Sequence, residues 1–463
     1  MHPLMGLATL VLAAVTISVA LRSSPKDAPA AAGLPSPPST TTTAFPAPPH
    51  EPRAVSPTGP VGASGLELGG VIADVWKRRE PSQGAVVVCD IGGASSVGDG
   101  GGAIAIALYV FLCDGGPSDA YAERVAANVR VATYSNCTQG MLALHTVRRP
   151  QLTCDIVAHS ASGGRAQAMR ELRVAKTLAR RDSTTAYVTA GADAPPAIQA
   201  AVRHFEATGV LLRDGSGAAH HRIANSARFR SAEFDAVLSG GWAAIDLSAY
   251  DELSRKVTEH FLSLPKERRE EGHSGELLYE RMVYVALASM PSVRTICEIG
   301  FNMGHSAALW LKANPNASVH MFDILAHDYA MAQFNYIRSH GEDLGLHRAA
   351  ERLVLHPGDS ARTIMRMHRE DPSFRCDLMS VDGGHSKTQA MLDMSSMKRF
   401  ANRQFHVALI DDTNTNVPLY IAEIDGAVDA HMDTGRINVL DRFAERWGNS
   451  AAFRGVSVFQ YNL

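Results

Sequence analysis

The second half of the chain repeats one pattern, in which a short apolar run ends on an acidic or polar residue and a helical stretch follows. Runs of this kind predict β-strands that are buried on both faces, because they show no polar alternation. Five such strands are predicted, at 295–300, 318–322, 352–355, 377–381 and 405–410. Residues 256–463 are therefore predicted to form a doubly wound α/β domain around a parallel sheet. Ligands of such sheets bind beyond the carboxyl ends of the strands.

Residues 63–255 show shorter apolar runs between helical stretches, which predicts a separate α/β domain of unknown type. The predicted strands are 85–89, 103–113, 186–189 and 209–212, and the predicted helices are 118–129 and 166–179. The glycine-rich segment 92–102 lies between the first two strands and lacks the Lys-Ser/Thr pair of a phosphate-binding loop. We interpret it as a flexible hairpin connection.

The first 62 residues differ from the rest of the chain. Residues 4–21 form an uncharged apolar run near the minimum length for crossing a bilayer, and 1–22 are either an uncleaved signal anchor or a cleaved signal peptide. Residues 23–62 are rich in Pro and Thr and are predicted to form a disordered stalk. Both alternatives send the chain into the secretory pathway, as a single-pass membrane protein of the Golgi or ER or as a secreted protein. The glycosylation sequons at Asn136 and Asn316 agree with that setting.

Composition narrows the range of function classes. The 463 residues are 46% hydrophobic and 20% charged, which is typical of globular domains and excludes collagen, coiled coil and wholesale disorder. The net charge of −3 provides no basic field, so we expect no nucleic-acid partner. Six cysteines are too few for a disulfide-stapled miniature scaffold. Cys137 with Cys154, and Cys89 with Cys113, are candidate pairs in an oxidising lumen, but the spacing does not fix the connectivity.

The charge at the first strand end of the second domain separates two classes of nucleotide cofactor. Gly300 and Gly304 let the backbone approach a ligand, and Asp323 at the next strand end is placed to accept hydrogen bonds from ribose hydroxyls. Glu298, before the first glycine, would repel a pyrophosphate but attract a cationic or amino-bearing ligand. The pattern therefore favours S-adenosylmethionine over a dinucleotide.

Four sequence elements in order carry a family resemblance, and they read EIGFNMGHSA, HMFDI, LHPGDSART and CDLMSVDGGHS. Over about residues 275–430 the chain resembles class I S-adenosylmethionine-dependent methyltransferases, in particular the small-molecule O-methyltransferase and cephalosporin-hydroxylase-like branch with a VDGGHS motif. The resemblance implies a Rossmann-like domain and a set of cofactor-binding residues. Those implied for the methionine end are Glu298, Gly300, Phe301, Gly304 and Ser306, with Asp323 for ribose, Asp359 and Ser360 flanking adenine, and Asp382 also in the set.

Asp382, Asp411 and Asp412 end neighbouring predicted strands, so their carboxylates are candidates for one metal site. Oxygen-rich sites suit Mg²⁺ or a similar cation. Such an ion would hold a substrate hydroxyl and lower its pKa, and His385 would remove the proton as general base. In the alternative interpretation Asp382 caps a helix, the paired aspartates are solvated turn residues, and His385 packs the loop.

The expected function is methyl transfer to a hydroxyl of a small molecule or glycan, with Asp382 and His385 as catalytic residues. Two alternatives stay open at this point. One is a stalked glycan-processing or glycan-binding protein with a degenerate methyltransferase domain, and the other is a hydroxylase-like relative, suggested by the all-acid set of strand-end residues. Membrane contact is expected only through an uncleaved N-terminal segment, and the sequence does not fix the oligomeric state.

Overall fold

The computed structural model describes the C-terminal half almost continuously and the N-terminal half in segments. The described residues are 66–67, 86–91, 95–96, 106–111, 129–134, 141–142, 145–146, 153–159, 164–179, 185–189, 194–213, 220–224, 231–265, 277–447 and 452–463. The predicted leader, the stalk, nearly all of the predicted helix 118–129 and the sequon at Asn136 lie outside them. Within these ranges, no helix is both long and apolar enough to cross a bilayer.

The first sheet is built from the segments described between residues 86 and 223. The elements of this half are β1 (Leu66–Glu67), β2 (Val86–Ile91), β3 (Ser95–Ser96), β4 (Ile106–Phe111), β5 (Val129–Tyr134), β6 (Ile156–His159), α1 (Arg165–Leu178), β7 (Thr185–Thr189), α2 (Pro196–Ala207), β8 (Leu211–Arg213) and β9 (His220–Ile223). The strand order in the sheet is β5–β4–β2–β6–β7–β9–β8, while β1 and β3 pair separately. An α/β domain is therefore present here, as predicted.

The pairing of β2 with β4 corrects one sequence interpretation. The two strands run parallel, from Val86 beside Ile106 to Ile91 beside Phe111. Parallel neighbours require a crossover connection and cannot be joined by a tight turn. The interpretation of residues 92–102 as a hairpin connection is therefore wrong.

Helices that precede the second sheet belong to it rather than to the first sheet. They are α3 (Ala232–Leu238), a 3₁₀ helix (Gly241–Ala244), α4 (Ser248–Ser263) and α5 (Leu278–Ala288). Phe234 of α3 is fully buried with its ring 5.7 Å from that of Phe405, and the Thr258 hydroxyl of α4 lies 2.9 Å from Nε2 of His305. The boundary predicted between residues 255 and 256 thus falls inside α4, and the C-terminal domain begins upstream of α3.

The C-terminal domain alternates strands with helices, as its sequence pattern predicts. Its elements after α5 are β10 (Thr295–Ile299), α6 (His305–Ala313), β11 (Ser318–Asp323), α7 (Ala330–Ser339), α8 (Ala349–Arg352), β12 (Leu353–Pro357), α9 (Ser360–Glu370), β13 (Leu378–Val381), α10 (Lys387–Met397), a 3₁₀ helix (Lys398–Phe400), β14 (Val407–Thr413), α11 (Pro418–Tyr420), a π-helix (Ile421–Asp425), α12 (Gly426–Asp433), β15 (Ile437–Arg442), β16 (Glu445–Arg446) and β17 (Phe453–Tyr461).

The second sheet is mixed rather than purely parallel. Its order is β12–β11–β10–β13–β14–β17–β15, with β16 paired to β17. The five predicted strands are parallel, whereas β17 runs antiparallel to both β14 and β15. β13 and β14 are buried along their whole length, which explains their continuous apolar runs. The chain reverses its direction across the sheet between β10 and β13, so their carboxyl ends form the switch point at which ligands bind.

Among the described residues, each sheet carries a disulfide from its first strand to the residue two positions before the neighbouring fourth strand. Cys89 is bonded to Cys154, and Cys297 is bonded to Cys376. Because a cysteine forms one such bond, these pairs exclude both candidate pairs from the sequence, Cys89 with Cys113 and Cys137 with Cys154. The strand pairing that brings the bonded cysteines together is long-range and leaves no trace in the local spacing.

Candidate active site

A cavity of about 620 Å³ opens at the carboxyl ends of β10, β11, β13 and β14. Its volume is within the range of about 300–1,000 Å³ that is typical of small-molecule sites. The predicted site residues that line it are Gly300, Asp323, Asp359, Ser360, Asp382, His385, Asp411 and Asp412. The sheet therefore brings the ends of four separate strands to one site.

Gly300 and Asp323 together shape the loop that follows β10. Gly300 has a φ of +100°, and a Cβ atom there would lie 1.9 Å from the carbonyl oxygen of Asp382, so the position requires glycine. The Asp323 carboxylate accepts backbone N–H hydrogen bonds from Phe301 at 2.6 Å and from Leu325 at 2.6 Å. An ionised carboxylate has about four lone-pair sites, so Asp323 can hold this loop and still accept a bond from a ligand.

Four residues that were predicted to contact the cofactor do not line the cavity. They are buried in or beside the loop that follows β10, and they are Glu298, Phe301, Gly304 and Ser306. The Oε2 atom of Glu298 accepts hydrogen bonds from Ser306 Oγ at 2.7 Å and from Trp310 Nε1 at 2.9 Å. Burial raises the pKa of the Glu298 carboxyl to about 7, against the opposing effect of these hydrogen bonds. In this structure Glu298 supports the first turn of α6.

The raised pKa of Glu298 predicts that folding stability falls as pH rises from about 4.5 to 7. In this window the folded chain keeps the Glu298 proton while the unfolded chain, with a pKa near 4.5, loses it, so raising the pH favours unfolding. At about 1.4 kcal/mol per pKa unit, the loss attributable to this group is about 3 kcal/mol. Denaturant unfolding at about pH 5 and pH 7.5 measures it.

The matched variant for this measurement is Glu298→Gln, which keeps a side-chain oxygen for Ser306 and Trp310 but does not titrate. Other buried carboxyls titrate in both proteins, so the difference between the two pH slopes isolates Glu298. Equal slopes in the wild type and the variant would contradict the prediction.

Asp411 and Asp412 lie on a bulge in β14, which continues through both residues instead of ending at Ile410. The pairing of β14 with β17 shifts between Ile410 and Thr413, and Asp412 has a φ of +57°. A bulge of this kind re-aims side chains. Asp411 is 5% exposed and Asp412 is 3% exposed, and both line the cavity. The alternative interpretation of these aspartates as solvated turn residues is therefore wrong.

An arginine from β17 lies among these buried acids. Nη2 of Arg454 is 2.5 Å from Oδ1 of Asp412 and 4.0 Å from Oδ2 of Asp411. Burial, followed by repulsion from Asp411 and Asp412, holds the pKa of the Asp382 carboxyl well above its usual range. Burial also raises the pKa of Asp411 to about 6, with Asp412 adding to the shift and Arg454 opposing it. The acids outnumber this cation, so the floor of the cavity favours a positively charged ligand.

Sequence reasoning missed Arg454, which no motif marks. It follows a stretch with no predicted element, and its guanidinium also lies 5.0 Å from the ring centre of Trp447, a second cavity residue that was not predicted. The signal that could have found it is indirect. A cluster of buried carboxylates needs a cation, and few cations lie in apolar segments near the C-terminus.

His385 reaches the same cluster from the loop after β13. Its Nε2 atom is 3.1 Å from Oδ2 of Asp412, and its side chain is 42% exposed. Ligand atoms of Asp382, His385 and Asp412 all lie within 4.8 Å of one another, close enough for the three side chains to share one metal ion. The geometry thus places His385 with two of the three predicted ligands, and Asp411 stands outside this group.

The opposite end of the cavity is built by α9 and α10. Ser360 Oγ donates to Oδ1 of Asp393 at 2.5 Å, and Nε2 of Gln389 donates to the same oxygen at 2.9 Å. Asp359 caps α9 by accepting from the Arg362 N–H at 2.9 Å. Burial raises the pKa of Asp393 to about 6, which the two hydrogen bonds oppose. This end presents polar groups in fixed positions beside the exposed carboxyl end of β12.

The comparison with protein families decides the nature of this domain. Residues 297–413, which run from β10 through the bulge of β14, match a family described as a methyltransferase domain. The C-terminal domain therefore contains a methyltransferase domain. The resemblance to methyltransferases is confirmed over these residues, which contain Gly300, Asp323, Asp382 and His385, whereas the branch within the family stays a prediction.

Solved structures similar to the chain include two O-methyltransferases. One is from Bacillus cereus and was solved with S-adenosylhomocysteine, with 12% identity, a TM-score of 0.34, and coverage of 47% of this chain and 92% of that chain. The other is TomG from Streptomyces achromogenes, solved with S-adenosylmethionine, with 13% identity, a TM-score of 0.34, and coverage of 47% and 91%. No curated protein matches the sequence.

Proposed function

We propose that the methyltransferase domain transfers the methyl group of S-adenosylmethionine to a hydroxyl of a small molecule or glycan. The observation that carries the proposal is the cavity at the switch point, whose floor holds buried carboxylates in excess over Arg454. A sulfonium and an α-amino group are cationic, so this floor attracts them. A dinucleotide pyrophosphate would be repelled.

Residues around the cavity supply the other contacts that such a cofactor needs. Asp323 accepts three backbone N–H bonds and retains about one acceptor site for a ribose hydroxyl. Ile324, the next residue, lines the cavity and is 66% exposed, which offers an apolar surface to a planar base. Asp359 and Ser360 also line the cavity, and we propose that they flank the adenine.

The cluster of Asp382, His385 and Asp412 fits a divalent metal ion. The three ligand atoms are close enough to share one ion, and cavity-floor carboxylates carry charge that Arg454 does not fully balance. An imidazole ligand favours Mn²⁺ or Zn²⁺ over the Mg²⁺ expected from carboxylates alone. A bound ion would supply a charge that lowers the pKa of a substrate hydroxyl. His385 would then act as a ligand, since a ligand nitrogen does not also take the substrate proton.

The setting that we propose is the secretory lumen. The two disulfides of the described residues join buried cysteines, and such bonds persist in oxidising compartments. Asn316 is exposed in the turn between α6 and β11, where a glycan could be attached. The leader and stalk predicted for residues 1–62 agree with this setting. A glycan hydroxyl is therefore among the acceptors we propose.

Incubation of the full chain with methyl-labelled S-adenosylmethionine and a panel of alcohols, phenols and sugars should give a labelled methyl ether. Mass spectrometry of the products identifies the acceptor class. A chelator should abolish the transfer, and added Mn²⁺ should restore it.

The outcomes of this assay separate the alternatives. Transfer that is unchanged by chelators would reject the metal and return the role of general base to His385, whose Nε2 is already paired with Asp412. Cofactor binding without transfer to any hydroxyl would favour a degenerate methyltransferase domain. Absence of both binding and transfer would reject the proposed function.

A further inference from the structure

The two sheets of the chain share one topology. If the two-residue strands are set aside, both sheets place their strands in the order third, second, first, fourth, fifth, seventh, sixth along the chain. In both, the first five strands are parallel and the seventh is antiparallel to its two neighbours. We name residues 86–223 the N-terminal copy and residues 295–461 the C-terminal copy.

The two disulfides occupy equivalent positions in the two copies. The register aligns Ile91 with His159 in one copy and Ile299 with Val381 in the other. The first cysteine of each bond, Cys89 or Cys297, lies two residues before the isoleucine of its copy. The second cysteine, Cys154 or Cys376, lies five residues before His159 or Val381, respectively. In both copies the bond therefore links the first strand to the residue two positions before the fourth strand.

The helix after the fourth strand also repeats. A Gln-Ala-Met sequence lies in α1 and in α10 at the same distance from the strand. Nε2 of Gln167 donates to Glu171 at 2.8 Å, and Nε2 of Gln389 donates to Asp393 at 2.9 Å. A shared topology, disulfide and side-chain pair at one register indicate a duplicated domain rather than two unrelated α/β folds.

The N-terminal copy lacks the acids of the cavity. If the strand registers are continued by one or two residues, the positions equivalent to Asp323, Asp382, Asp411 and Asp412 are Leu112, Ser160, Ala190 and Gly191. No carboxylate stands at any of these four sequence positions to hold a ribose, a sulfonium or a metal ion.

Among the described residues, the carboxyl end of the fourth strand of the N-terminal copy carries a buried hydrogen-bond network. Nε2 of His159 is 2.7 Å from Oε2 of Glu171, and its Nδ1 is 2.9 Å from the Tyr187 hydroxyl. His159 replaces the small Val381 of the other copy and is fully buried. Asp393, the equivalent of Glu171, instead lines the open cavity. Glu171 is thus committed to an internal partner where Asp393 faces a ligand site.

The N-terminal copy uses the outer part of α1 to cover the edge of the other sheet. Nζ of Lys176 donates to the carbonyl oxygen of Val439 on the edge strand β15 at 2.5 Å. Arg173 donates to Asp429 at 2.7 Å and to Asp433 at 2.6 Å on α12. Both cations are buried. An uncovered edge strand would invite pairing with another chain, so these contacts protect β15.

We infer that residues 86–223 are a second, cofactor-free copy of the methyltransferase fold. This N-terminal copy covers β15 of the C-terminal copy and leaves each chain with one cofactor site. This inference gives a fold to the α/β domain that the sequence left of unknown type. The cofactor count rests on the function proposed for the C-terminal copy, whereas the shared framework does not.

Two measurements on the full chain test the inference. Peptide mapping of the unreduced protein should recover Cys89 linked to Cys154 and Cys297 linked to Cys376. Isothermal titration should give one S-adenosylmethionine per chain. Asp323→Ala should abolish that binding, and Asp90→Asn, at the N-terminal position equivalent to Glu298, should leave it unchanged.

The possible outcomes test the duplication, the absence of cofactor from the N-terminal copy and the proposed function separately. Linkage of Cys89 to Cys113, or of Cys137 to Cys154, would overturn the duplicated framework. Two cofactors per chain in the wild type, one of which still binds in Asp323→Ala, would overturn the cofactor-free N-terminal copy. Absence of binding in the wild type would overturn the proposed function, and peptide mapping would then decide the duplication by itself.

Discussion

An Asp323→Ala variant is expected to bind S-adenosylmethionine at least about 100-fold more weakly than the wild-type chain. Its carboxylate accepts backbone N–H bonds from Phe301, Asn302 and Leu325, so the substitution releases the loop that borders the cofactor. It also removes the acceptor proposed for the ribose hydroxyls. Hydrogen bonds to charged groups contribute about 1.5–3 kcal/mol each, and about 2.8 kcal/mol is a factor of 100 in affinity. Isothermal titration measures the change.

Asp343→Ala is the matched control, because Asp343 is an exposed aspartate of the same domain that does not line the cavity. Its affinity should equal that of the wild type. Thermal unfolding of both variants separates local loss of binding from unfolding of the domain. Equal affinity of the Asp323→Ala variant and the control would remove Asp323 from the cofactor site.

The central strands β10, β13 and β14 of the C-terminal copy could be predicted because they are buried on both faces. Continuous apolar runs such as Leu378–Val381 follow directly from that burial. The antiparallel β15 and β17 could not be predicted in the same way. Their sequences mix polar and apolar residues, and fully buried Asp441 and Gln460 are stabilised by partners far along the chain.

The acids of the site were predictable, whereas their counter-charge was not. Asp382 and Asp411 can be identified in the sequence as acidic residues directly after apolar runs, and the parallel register brings them side by side. Arg454 reaches them only because β17 inserts next to β14. Charge balance at a buried site depends on tertiary pairing, which local spacing does not encode.

The duplication, too, could not be predicted from the sequence alone. Cys-Asp and Gln-Ala-Met recur in both halves, yet so few positions match that the repeat is hard to distinguish from chance in the sequence alone. Strand register supplies the alignment, since it equates Ile91 with Ile299 independently of residue identity. A framework is conserved between the halves where the backbone requires it, while the acids of the cavity differ.

Replacing Arg454 by methionine should destabilise the chain by about 3–5 kcal/mol, the cost typical of breaking a buried ion pair from one side. Methionine keeps most of the side-chain volume but leaves Asp411 and Asp412 without their cation. In a domain of this size the loss corresponds to a fall in melting temperature of about 10 °C. Thermal unfolding monitored by circular dichroism or calorimetry provides the measurement.

The control is Arg446→Met, which removes an exposed arginine from β16 and should leave the melting temperature within about 1 °C of the wild type. A second substitution, Asp412→Asn, should recover part of the loss in the Arg454→Met background, because the variant then buries one uncompensated charge fewer. Mn²⁺ should stabilise Arg454→Met more than it stabilises the wild type, since the ion and the guanidinium neutralise the same carboxylates.

If Arg454→Met has the same melting temperature as the Arg446→Met control, Asp411 and Asp412 are not ionised in the folded chain. That result would also contradict the proposed binding of a sulfonium and of a metal ion, because both require negatively charged acids at the cavity floor.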